Sequence, residues 1–197
     1  MKKLAIFLVC LLTISFVFGC AGSGGSSGGT SNLSGSAQDV LSQVKDKAGA
    51  GLTGDSQLPM TLDDPITADN AENMIGLTAD QFNQYVTDAY GSTAAIATFA
   101  IEFSVIQCKD AASASQVKDL VATGFNSGKW ICVNPEQSLV VESGNYVLLA
   151  VGHTTQTQAM ASAFAELAGN SGSVNIFYEG VAGESPSLLA PVPAVGN

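Results

Sequence analysis

His153 is the single histidine of the chain, and it follows the apolar run Tyr146 to Val151 at the mouth of a helical pattern. Imidazole changes charge near neutrality, which makes it the natural general base. Catalysis would also require a nucleophile and an orienting acid. Thr154, Thr155 and Ser143 are near in sequence but no acid is, so His153 reads as a loop or helix-start residue and no catalytic residue is assigned. Cys108 and Cys132 could bridge only with Cα atoms within ~7 Å. The first ends one expected strand and the second precedes the next, at opposite ends of a sheet, so buried, unpaired thiols are expected. Asp63, Asp64 and Asp69 could offer oxygens to Ca²⁺. They lack the EF-hand spacing and its closing Glu, so a solvated acidic loop is expected and no metal site is assigned.

Two further strings match a motif without its mechanism. Gly49-Ala50-Gly51-Leu52-Thr53-Gly54 fits the dinucleotide-binding pattern, but it follows a helix instead of a strand. Gly24-Gly25-Ser26-Ser27-Gly28 fits the nucleophile elbow inside a Gly/Ser-rich stretch, where no strand-to-helix turn can form. No cofactor is expected. The loop from Lys129 to Gln137 is different in kind. It sets an indole among polar groups, and Lys129, Trp130, Glu136 and Gln137 make a possible binding surface.

The chain has 197 residues, with seven basic residues, all lysine, against 17 acids, for a formal charge of −10. Such a surface repels phosphate backbones, so no nucleic-acid partner is expected. Met1-Lys2-Lys3 is a positive n-region, and Leu4 to Phe18 is apolar except for Thr13 and Ser15. That run suits a secretory leader and falls short of the ~20 residues that span a bilayer. Val17-Phe18-Gly19-Cys20 resembles the bacterial lipobox, which implies cleavage before Cys20 and diacylglycerol on its sulfur. Each buried CH₂ is worth ~0.8 kcal/mol, so two or more acyl chains hold a protein on a membrane. Between Ala21 and Ala37, six residues are Gly and six are Ser, a composition that stays a coil and acts as a tether.

The expected organisation is therefore a lipoprotein signal peptide over 1–19 and a lipidated Cys20 with its tether over 20–37. An N-terminal arm over 38–57, an α+β domain over 58–180 and a loose tail over 181–197 follow. Ser36 can cap a helix with Val40, Leu41, Val44 and Ala48 as its apolar stripe and Gly49 as its stop, and the polar remainder suggests a weakly docked arm. Thr78 to Gln81 is a capping box with Leu77 and Phe82 at the staple positions. The 95–108 stretch alternates as a strand. Ser113 to Gln116 and Thr155 to Gln158 read as further capping boxes, each opening a helix. Strands at 138–142, 146–151 and 174–178 complete a β-α-β-β-α-β order, the ferredoxin-like arrangement, with both helices on one face of an antiparallel sheet.

Met74-Ile75-Gly76-Leu77-Thr78, the strand-helix unit from Ile101 to Val121, Asn134-Pro135-Glu136-Gln137 and the hairpin Glu142-Ser143-Gly144-Asn145-Tyr146-Val147 carry a family likeness. From about Leu58 to Leu167 the chain resembles the bacterial lipoproteins of the domain of unknown function 4358 family. The resemblance implies a lipid-anchored domain on the outer face of the cell membrane and brings no activity. The expected function is that of a non-catalytic binding or accessory module of the cell envelope. Its partners would be the membrane, through the anchor, and an envelope protein or wall ligand. The alternative is an envelope hydrolase or transferase using His153.

Overall fold

The computed structural model describes residues 31–96, 98–130, 132–169 and 173–180. The expected leader, Cys20, most of the tether and the tail from 181 lie outside them. Helix α1 (Ala37–Ala50) is followed by β1 (Thr61–Pro65), α2 (Ala71–Ile75), α3 (Ala79–Tyr85), β2 (Val86–Ala94), β3 (Glu102–Cys108) and α4 (Ala111–Gly124). Then come β4 (Gln137–Ser143), β5 (Tyr146–Gly152), α5 (Thr154–Ala168) and β6 (Ser173–Glu179). The strands form one six-stranded antiparallel sheet in the order β1-β2-β3-β5-β4-β6. The expected α+β class is found.

The arrangement departs from the ferredoxin-like expectation in its last strand. β6 pairs with β4, whereas a ferredoxin-like sheet would place it beside β3, where β2 lies instead. One consequence is the position of the helices. The β3-α4-β4 crossover skips β5, and the β5-α5-β6 crossover skips β4. Both step the same way across the sheet from strands of opposite direction. Right-handed crossovers of that kind must run over opposite faces.

The packing follows this rule. One face carries Phe103, Val105, Leu139, Val141, Leu148 and Ala150 against α1 and α5, with Met160 and Phe164 from α5. The other carries Ile106, Val140, Val147, Leu149 and Val151 against α2 and α4. Covered on both sides, β3 and β5 are buried along almost their whole length, and near-continuous apolar runs are what such strands require.

Helix α1 is no loose arm. Ser36 and Asp39 form a reciprocal capping box, and Ala37, Val40, Leu41, Val44 and Ala48 are all buried. Each fully buried Val or Leu stabilises by ~1.5–3 kcal/mol, which outweighs the polar remainder of the helix. The stop is Gly51 in place of Gly49. The Thr78–Gln81 capping box forms as expected. Helix α4 instead starts earlier, with Asp110 accepting the Ser113 N–H at 2.7 Å.

Two strands were not foreseen in the sequence. β2 begins at Val86, directly after the last residue of α3, with no loop between them. β1 contains Asp63 and Asp64, expected as a loop. Asp63 accepts from Lys45 Nζ at 2.9 Å and from Ser92 at 2.5 Å. Burial opposes its ionisation, but the hydrogen bonds from Ser92 and Lys45 outweigh that and hold its carboxyl below the ordinary value. Asp64 is the next residue along the strand, so it points to the other face. The adjacent pair therefore cannot chelate one ion together.

Candidate functional site

The β4–β5 hairpin sets the geometry of the site. Its two-residue turn pairs Ser143 with Tyr146, and the ladder runs on to Gln137 opposite Gly152. One step further places Glu136 opposite His153. Glu136 Oε1 lies 2.9 Å from His153 Nδ1, and Oε2 accepts the Thr154 N–H at 3.0 Å. The acid that the sequence seemed to lack is thus supplied across the sheet. It also explains how α5 starts. His153 occupies the N-cap position without a capping side-chain bond, and the carboxylate of Glu136 takes over the first free N–H and complements the positive end of the helix. No Thr155 capping box forms.

The hydrogen bond with the His153 ring, followed by that from Thr154 N–H, holds the Glu136 carboxyl below its ordinary value. It is an anion at neutrality. An anion facing Nδ1 fixes the proton there and leaves the lone pair of the neutral ring on Nε2. His153 is half exposed, and Glu136 nearly so. Beside them opens a groove of about 110 Å³ lined by Phe99, Ala100, Val133, Pro135, Gly152 and Thr98 as well as the pair itself. Sites for drug-sized molecules run to ~300–1,000 Å³, so this one suits a single side chain or small group with a donor for the His–Glu pair. Exposed Met60, Ile96 and Phe99 gather at the same end of the sheet, since Ala95 N–H bonds to Met60 O and Phe99 N–H to Ile96 O.

No family model, curated protein or solved structure matches the chain.

Of the four residues expected to form a binding surface, Glu136 alone reaches this groove. Gln137 is buried, its Oε1 accepting from Thr157 Oγ1 at 2.7 Å. Trp130 is partly buried against Phe125, ring centroids 6.4 Å apart. Lys129 turns inward. Its ammonium donates to Asn73 O at 2.7 Å and to Glu102 Oε2, and stands 4.8 Å and 5.1 Å from the Phe125 and Trp130 ring centres. Glu102 is wholly buried. Sequence reading missed it because it sat in a strand pattern as one of the polar alternates. Its signal was a carboxylate in a strand flanked by apolar runs on both sides.

The nucleophile candidates do not converge on His153. Ser143 is at the far end of β4, six residues along, or ~20 Å at the usual strand rise. Cys108 is buried and Cys132 exposed, both unbridged, so burial holds for the first thiol alone. Burial pushes the Cys108 thiol up to about 12, with the nearby Asp110 and Glu142 charges adding to it, so it is inert as a thiolate. Gly49 to Gly54 runs off the C-terminal end of α1, where carbonyls and not N–H groups are free, the wrong polarity for a phosphate. Among the described residues no helix is long and apolar enough to cross a membrane, and no group of three metal-ligating side chains gathers.

Proposed function

We propose that the chain is an extracytoplasmic lipoprotein, held at the outer face of the membrane through Cys20, which works as a binding or accessory module of the cell envelope. The observation that carries this reading is where the N-terminal segment joins the domain. Tyr146 hydroxyl donates to Gly35 O at 2.7 Å, and Asn32 N–H to Ala168 O at 2.9 Å. Both contacts are at the β4–β5 hairpin end of the sheet. The groove is at the other end, ~20 Å away along β5. A domain tethered there would present the groove away from the headgroups, toward a wall fragment or an envelope protein. The resemblance to the domain of unknown function 4358 lipoproteins belongs to the same proposal.

The test is fractionation of cells fed radiolabelled palmitate. The wild-type chain is expected in the membrane fraction with label, and Cys20→Ala is expected to lose both. Recovery of uncut, unlabelled wild-type chain from cytosol would end the proposal.

A second reading, an envelope hydrolase or transferase, is favoured by the Glu136–His153 pair. It needs a nucleophile or a bound water that Nε2 can activate. The small size of the groove and the remote hydroxyl of Ser143 both weigh toward binding.

A further inference from the structure

Glu102 and Lys129 have no role in the groove chemistry, yet they sit at the root of its wall. Glu102 is on β3, with no exposed side-chain surface, and its Oε1 has no hydrogen-bond partner. Across the sheet its neighbours are Thr93 on β2 and Val151 on β5, neither of them charged. From α2 come Met74 and the Asn73 carbonyl, while Glu72 is exposed to solvent. The adjacent hydroxyl of Ser104 is buried, and its interaction with the carboxyl favours the ionised form, as Lys129 does. Among the described residues, Lys129 is the one charged side chain acting on the carboxyl. It reaches in from the segment between α4 and β4, whose later residues Val133 to Glu136 line the groove.

We propose that Glu102 and Lys129 form a proton-operated latch: the ion pair holds the α4–β4 connection against β3 and α2, and protonation of Glu102 releases Lys129 and loosens that side of the groove. This rests on the reading of the groove as the binding site and adds its regulation. The balance follows from burial. An ionised Glu102 is anchored by Lys129 and helped by the Ser104 hydroxyl, but it is fully buried and its Oε1 has no partner at good hydrogen-bond geometry, which is costly. A proton removes that charge and with it the anion that keeps the ammonium inside. Burial pushes the Glu102 carboxyl up to about 7, against the opposing pull of Lys129. The two states therefore exchange within the range a cell envelope meets, with a tenfold change in their ratio per pH unit around the midpoint.

Trp130 is the single tryptophan, and its ring faces the Lys129 ammonium, so its fluorescence reports the latch directly. In the isolated chain, with no anchor and no ligand, Trp130 emission is expected to titrate between pH 5 and 8.5 with a midpoint near 7. Glu102→Gln is expected to abolish most of the amplitude, and His153→Ala to leave it. Amide exchange on the wild type, corrected for intrinsic rates, gives a second readout that needs no variant. Residues 126–130 and 132–136 should lose protection on acidification while β3 and β5 keep theirs. A flat wild-type titration, unchanged exchange, or a titration that survives Glu102→Gln but vanishes in His153→Ala overturns the latch. None of these results depends on membrane attachment or on what the groove binds, so failure here is distinguishable from failure of the binding reading.

Discussion

Gly76→Ala is expected to lower the unfolding free energy by about 3 kcal/mol or more, the sum of two independent penalties. Gly76 closes α2 in the left-handed region at φ 73°, where a side chain is strained. A Cβ there would also collide with the Phe125 nitrogen and the Gly124 carbonyl carbon, which are backbone atoms and cannot rotate away. The contact is reciprocal, because a Cβ on Gly124 would strike Gly76 O. Gly124→Ala should therefore be destabilising too, although its own backbone is helical. Urea unfolding checks both, and a loss under 1 kcal/mol at either site would show that the α2 and α4 ends are not locked together. Since the same two helix ends frame the entry to the Lys129 segment, a partly folded Gly76→Ala protein should also show altered Trp130 emission.

The second large effect is the linkage between Glu102 and the global fold. Burial raises its folded value from the ordinary 4.5 to about 7, so the native chain keeps a proton that the unfolded chain gives up. The contribution of this group to stability is fully present below about 4.5 and is lost as pH rises through 7. The shift is worth about 3 kcal/mol at ~1.4 kcal/mol per unit. Wild type is expected to lose that much relative to Glu102→Gln between pH 4.5 and 8. Chemical denaturation of both proteins across that range measures it, and parallel curves would contradict it. The rest of the acidic surface is common to both chains and cancels in the difference. Acid thus stabilises the whole while releasing the local latch, because the proton takes over from Lys129 the task of neutralising a buried charge.

Much of this was legible in the sequence, and the misses have physical reasons. The central strand, the β4–β5 hairpin, the α1 stripe and the Thr78 box were readable because local pattern and tertiary packing agree there. β2 was hidden because Phe82, Tyr85, Val86 and Ala89 continue a helical spacing with no turn residue between α3 and the strand. The chain switches from helix to strand at Tyr85–Val86, where pairing with β3 overrides the pattern. β1 was hidden because two aspartates and a proline suit a loop as well as they suit an edge strand that must resist further pairing. The position of β6 could not be read from element order, which fixes how many strands there are but not which edge the last one joins.

The candidate site divides in the same way. Glu136 opposite His153 was in principle countable once the turn is placed at Gly144-Asn145, since the register of a two-residue hairpin fixes every later pair. Glu102 beside Lys129 was not. That meeting depends on the path of the chain after α4, which carries no periodicity.

The sheet carries helices on both of its faces, so its strands meet solvent mainly at their tips and two outer edges. The positions whose composition can drift without disturbing the packed layers therefore lie in the short connecting segments and along those two edges. Related chains with this architecture could thus be retargeted by exchanging a handful of residues at one rim.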